Sequence, residues 1–268
     1  MSMLRVKKLL SSFLTALFLA VVALAVPAGQ LPAAQADPAC KIVSTYSATA
    51  PATEEDLLKY AYLKAICDAS EKDPSELSDR LFKIAPDNSR LVWRDLEKKE
   101  FLAVTWTSWN GYDGKDGTSL QLGADVWVTA VPEVKEFCDN FSADDPKRIL
   151  KLEQFLGLPP RVGKTKFVEM WVNPADMYRP CPDKEIDDAI CDLDFPPTVE
   201  PQHKQWYGNL QTVSYEEKGY PWTGLGYTYD WGNPESEFGA SEYIVKKGST
   251  VFIRAVQSTL NYCQPGTA

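Results

Sequence analysis

The apolar residues of the chain fall first into one nearly unbroken run and then into short periodic segments. From Leu9 to Val26 almost every position is apolar, with Arg5, Lys7 and Lys8 before it and small residues around Ala34-Gln35-Ala36 after it. A basic start, an apolar middle and an A-x-A exit are the parts of a secretory signal, so residues 1–36 are expected to be cleaved and the mature chain to begin at Asp37. An uncleaved anchor could use the same run, but Pro27, Gly29 and Pro32 favour processing. No later segment has a comparable uncharged stretch, so after cleavage the protein is not expected to be integral to a membrane.

Helical periods come next. Thr53 followed by Glu54, Glu55 and Asp56 reads as a capped start, after which Leu57, Leu58, Ala61, Tyr62, Ala65, Ile66 and Ala69 share one half-cylinder with Cys67 opposite. Asp73-Pro74-Ser75-Glu76 is a second capping box, and the stripe Leu77, Leu81, Ile84 predicts a helix stopping before Pro86. Asp145-Pro146 starts a third, with Ile149, Leu152 and Leu156 inward and an end at Gly157. Further helices are expected over Pro132–Asn140 and Gln202–Leu210.

Strand character marks Phe101–Thr107, Asp125–Val131, Thr165–Val172 and Gly226–Asp230, all rich in β-branched and aromatic residues. Glu242–Val245 and Thr250–Val256, flanking Lys246-Lys247-Gly248-Ser249, predict a hairpin. Helices precede strands without regular alternation, which predicts an α+β domain with N-terminal helices followed by a mainly antiparallel sheet. No linker-like boundary or repeat interrupts 37–268, so a single domain is expected.

Composition changes the picture in three ways. The 28 basic and 37 acidic side chains give −9, and removing Arg5, Lys7 and Lys8 with the signal leaves 25 against 37, or −12. Without a basic tract this argues against nucleic-acid binding, while cationic ligands and metal ions remain permitted. All six cysteines survive cleavage, and an even number in an exported chain predicts disulfides. Cys181 and Cys191 are expected to close a short loop, with Cys40 joined to Cys67 and Cys138 to Cys263. The only histidine is His203. One imidazole excludes the metal and haem motifs that need two, and no cofactor is expected. The periplasm or the extracellular medium is the expected location.

Several segments carry candidate chemistry. Gly163-Lys164-Thr165 lacks the earlier glycine of a phosphate loop and has Pro159 and Pro160 where amides are needed. His203 lies at the polar start of a predicted helix with no G-x-S-x-G elbow elsewhere, so a solvated histidine is expected in preference to a triad base. Asp183, Glu185, Asp187 and Asp188 crowd the loop between Cys181 and Cys191. Their spacing departs from the EF-hand, and a solvated acidic face is expected over a calcium site.

Two aromatic clusters stand out. One contains Trp106, Trp109 and Tyr112; the other contains Trp222, Tyr227, Tyr229 and Trp231. Rings followed by Gly, Asn and Asp suit sugars, whose C–H faces stack while their hydroxyls bond to polar groups, and equally suit a core closed by turns. Glu169 alternates with Phe167 and Trp171 on one strand face. It is either a partly desolvated acid, paired with Asp230 or Glu242 as in a glycosidase, or the partner of an arginine such as Arg179. A non-catalytic protein binding a glycan or an envelope component is therefore the leading expectation. A carboxylate-dependent hydrolase and a purely structural protein are the alternatives.

Overall fold

The computed structural model describes residues 38–46, 53–142 and 145–264, so the expected signal and its cleavage site lie outside the described residues. The described residues all belong to one compact unit. Its helices are α1 (Pro38–Tyr46), α2 (Glu54–Ser70), α3 (Val131–Asp139), α4 (Arg148–Phe155), α5 (Pro201–Ser214) and α6 (Thr259–Tyr262). Its strands are β1 (Phe101–Thr107), β2 (Thr118–Gln121), β3 (Val126–Ala130), β4 (Lys166–Val172), β5 (Met177–Tyr178), β6 (Tyr227–Tyr229), β7 (Phe238–Ser241), β8 (Tyr243–Val245) and β9 (Thr250–Ser258). The class is α+β with a mainly antiparallel sheet. None of the described helices is long and apolar enough to cross a membrane.

Helix α2 starts where its cap lies. The Asp56 N–H donates to Thr53 Oγ1 at 3.1 Å and the Thr53 N–H donates to Asp56 Oδ2 at 3.1 Å, satisfying two otherwise orphaned donors. Tyr62, Leu63, Ala65, Ile66 and Ala69 are buried, whereas Leu57 in the first turn is exposed. Helix α1 packs Ala39 against this face, and Cys40 pairs with Cys67. Cys138 pairs with Cys263 and Cys181 with Cys191.

The expected second helix is not formed. Its capping box is present, with the Ser75 N–H donating to Asp73 Oδ1 at 2.7 Å, but it caps a single turn, Pro74–Glu76. Beyond Leu77 the backbone bonds elsewhere: the Leu81 N–H to the Ala189 carbonyl at 3.1 Å, Ile84 N–H to Ile186 at 2.7 Å, and Phe82 N–H to Ser241 Oγ at 2.7 Å. This irregular path lets Leu81 enter one apolar cluster while Phe82 and Ile84 enter another, which a single helical stripe could not do.

The seven-stranded sheet runs β2-β9-β4-β1-β3-β8-β5, every pair antiparallel. The expected hairpin of β8 with β9 is therefore also corrected, since these strands do not pair. Each is one arm of a bent strand, and β2 with β3 forms the matching bent strand beside it. Gln121 faces Thr250 and Val126 faces Val245, so the register is unchanged across the bend. At the corner the Leu122 N–H donates to the Ser249 carbonyl at 2.9 Å and the Gly248 N–H to the Leu122 carbonyl at 2.8 Å. These continuous ladders curl the sheet on itself.

Alternation along the strands then gives two cores. Phe101, Ala103, Val128, Val168, Met170, Val172, Tyr243, Val251 and Ile253 fill the inside of the curl. Leu102, Val104, Trp106 and Phe167 face outward and are covered by Val134 of α3, Leu152 of α4 and Tyr262 of α6. Each fully buried large apolar side chain contributes on the order of 1.5–3 kcal/mol. Strands β6 and β7 form a separate pair.

Candidate functional site

Both aromatic segments reach the same place. After β1, the chain turns at Asn110-Gly111-Tyr112, and Trp109 folds back over the glycine. A Cβ on Gly111 would stand 2.1 Å from the Trp109 ring, so the ring can lie there only because this residue is glycine. The Trp109 ring meets Tyr112 edge-on at 4.8 Å. Trp106, near the end of β1, stacks on Phe167, its register partner on β4, with centroids 5.5 Å apart. The second segment arrives by the loop after α5, where Trp222 bridges to Thr228 of β6.

Between them lies a cavity of about 590 Å³, within the range of roughly 300–1,000 Å³ typical of small-molecule sites. Trp106, Trp109, Tyr112, Trp222, Tyr227 and Tyr229 all line it. Trp231, the remaining ring of the expected set, does not: it packs edge-on against Tyr62 at 5.6 Å and donates its indole N–H to the Leu158 carbonyl. Trp127, Phe167 and Tyr220 complete the aromatic wall, with Leu210 and Val213 of α5. Trp127 lies in the alternating run of β3, where its neighbours Val126 and Val128 had masked it as an ordinary strand residue.

The three candidate carboxyls separate. Glu242 lines the cavity; Glu169 and Asp230 do not. Glu169 is buried on the outer face of β4 and pairs with Arg254 of β9, not with Arg179. Asp230 accepts from the Gly232 N–H at 3.0 Å, and burial raises its pKa. Glu242 is 6 % exposed, and its Oε1 closes no hydrogen bond within the protein. Burial pushes its pKa well above the ordinary value, offset in part by the nearby Trp222 indole, whose Nε1 nevertheless lacks hydrogen-bonding geometry. Lys164 also lines the cavity, its pKa lowered by burial, as do Lys218 and the exposed Asp125.

Arg179 instead organises the acidic loop. Fully enclosed, it donates to Asp188 Oδ1 at 2.8 Å and to the carbonyls of Asp188 and Ile190 at 2.6 Å each. Oxygens of Asp183, Glu185 and Asp188 lie within 4.8 Å of one another, while Asp187 stands apart from that group. Asp183 is buried, which pushes its carboxyl up to about 6, and Asp188 is already matched by the guanidinium.

His203 is not solvated, contrary to the reading from its polar neighbours. It is 8 % exposed, its Nε2 lies 2.7 Å from the Cys181 carbonyl, and its ring stacks on Trp206 at 5.4 Å. Burial lowers its pKa, which favours the neutral ring as a donor to that carbonyl. Pro201 opens α5, and in that first turn the His203 ring meets Tyr178 and Phe195 edge-on.

Fold and site together define an α+β protein with a ring-lined cavity that a buried acid, Glu242, also lines. The chain matches no protein-family model, no curated protein and no solved structure.

Proposed function

We propose that this chain is an exported, non-catalytic binding protein whose cavity takes a small ligand with apolar faces, a sugar or a molecule of similar surface. One observation carries the reading: two aromatic segments distant in sequence converge on one cavity of small-molecule size. Trp222 and Tyr227 are buried yet line it, so their rings are held in place before a ligand arrives, which limits the entropy lost on binding. Export, to the periplasm or the medium, is supported by the basic-apolar-A-x-A start and by three cysteine pairs.

A glycosidase would need a second carboxyl facing Glu242 across the bound sugar. Glu169 and Asp230 are both committed to protein partners away from the cavity wall, and Asp125, the other carboxyl on that wall, is exposed and accepts from the Lys247 N–H at 2.7 Å. Binding without catalysis is therefore favoured.

A glycan array on the mature protein, followed by titration of Trp fluorescence, tests the reading. Saturable quenching is expected. Trp222→Ala should weaken binding roughly two- to tenfold through the lost ring contact. Trp231→Phe, off the cavity, should not. Unchanged fluorescence across the array, or equal losses in the two variants, would sink the proposal.

A further inference from the structure

Three other enclosed carboxyls each receive at least one donor from the protein itself. Glu133 Oε1 accepts from the Ser241 N–H at 3.1 Å and its hydroxyl at 2.9 Å, while its Oε2 is left without a partner. Glu153 accepts from the N–H groups of Arg161 and Val162 at 2.9 Å each, and Glu169 has Arg254. Glu242 has the Trp222 indole near it without hydrogen-bonding geometry, and its Oε1 is left without a partner. An enclosed carboxyl with an unmet oxygen destabilises the free protein, and a ligand group that answers it removes that cost.

The surroundings indicate which group. Trp106, Trp222 and Tyr227 line the same cavity, and aromatic faces carry the negative part of the ring quadrupole. Ring faces and an ionised carboxylate both attract positive charge, a cation seated beside Glu242 itself favours the ionised form, and the acidic mature chain draws cations toward it. Resting on the binding reading above, we propose that the cavity selects ligands bearing one ammonium group, seated between Glu242 and these rings. Amino sugars and quaternary amines are the ligand chemistry this describes. Lys164 and Lys218 line the same cavity, which disfavours a second positive charge.

Choline and its uncharged carbon isostere dimethylbutanol separate charge from shape. Calorimetric titration of the mature, disulfide-intact protein should show choline binding at least about tenfold more tightly than the alcohol. Glu242→Gln should abolish that difference while alcohol binding persists, with a circular-dichroism melt showing the variant folded. Equal affinities in the native protein, a preference surviving Glu242→Gln, or no choline binding would each overturn the proposal. Tighter binding of spermidine would overturn its restriction to one charge. The wider binding reading stands or falls separately, on the glycan array and the two tryptophan variants.

Discussion

At the scale of single residues, the cavity depends on an absence. Gly111 has no Cβ, and the Trp109 indole lies where one would be. Gly111→Ala must swing that ring off the turn, since the backbone beneath it is fixed by the Asp113 N–H donating to the Asn110 carbonyl at 3.1 Å. Trp109 is 59 % exposed, so little packing is lost, and the stability cost should stay below about 1 kcal/mol. The expected result is a shifted Trp emission spectrum with an almost unchanged melting temperature. A native emission spectrum in the variant would show that the indole is not held against this glycine.

At the scale of elements, Arg179 decides the shape of the segment from Cys181 to Cys191. Its guanidinium meets one carboxylate and two carbonyls at once, from a fully buried position. A planar fork can do this and a point charge cannot. Arg179→Ala should lower stability by about 3 kcal/mol, and Arg179→Lys should recover less than half of it, both read from chemical denaturation. Hydrogen exchange in 181–191 should rise in both; native exchange rates there would refute the role.

The same scale shows what the residue pattern could and could not reveal. Helix α2 and strands β1 and β4 were legible because cap, period and burial agree within each segment. The segment after Pro74 carries an equally good cap and stripe, but its N–H groups are taken by Ala189, Ile186 and Ser241, far along the chain. Likewise Lys246-Lys247-Gly248-Ser249 has the composition of a hairpin turn, and Gly248 does adopt a positive φ of 89°. The two arms leaving this turn are placed by their own partners, β3 for β8 and β2 for β9, and no local signal encodes a ladder shared by two bent strands. Each aromatic cluster could be read from its own residues. Their meeting, and the isolation of Glu242, are products of the curl.

For the whole molecule, the enclosed acids set a pH dependence opposite to that of a chain stabilised by ion pairs. Glu133 has a partly exposed stem but an enclosed carboxyl, and burial pushes its pKa from 4.5 up to about 7. A carboxyl whose folded pKa exceeds its unfolded one favours folding fully below the unfolded value and loses that contribution as pH rises through the folded value. For Glu133 the loss from about pH 4.5 to 8 is on the order of 3 kcal/mol. Asp183 and Glu242, both raised by burial, act in the same direction, as does the growing repulsion within an acidic chain. His203 acts against them, because its buried neutral ring favours folding more as pH rises past its unfolded value. One histidine does not offset three raised acids, so the melting temperature should fall by roughly 5–10 °C between about pH 5 and pH 8. Glu133→Gln removes one ionisation while leaving an oxygen to accept from Ser241, and should flatten the fall without lowering stability near pH 8. Melting followed by circular dichroism across that range decides it: a melting temperature that rises toward pH 8, or a fall unchanged in Glu133→Gln, would mean that this carboxyl is already ionised in the folded protein.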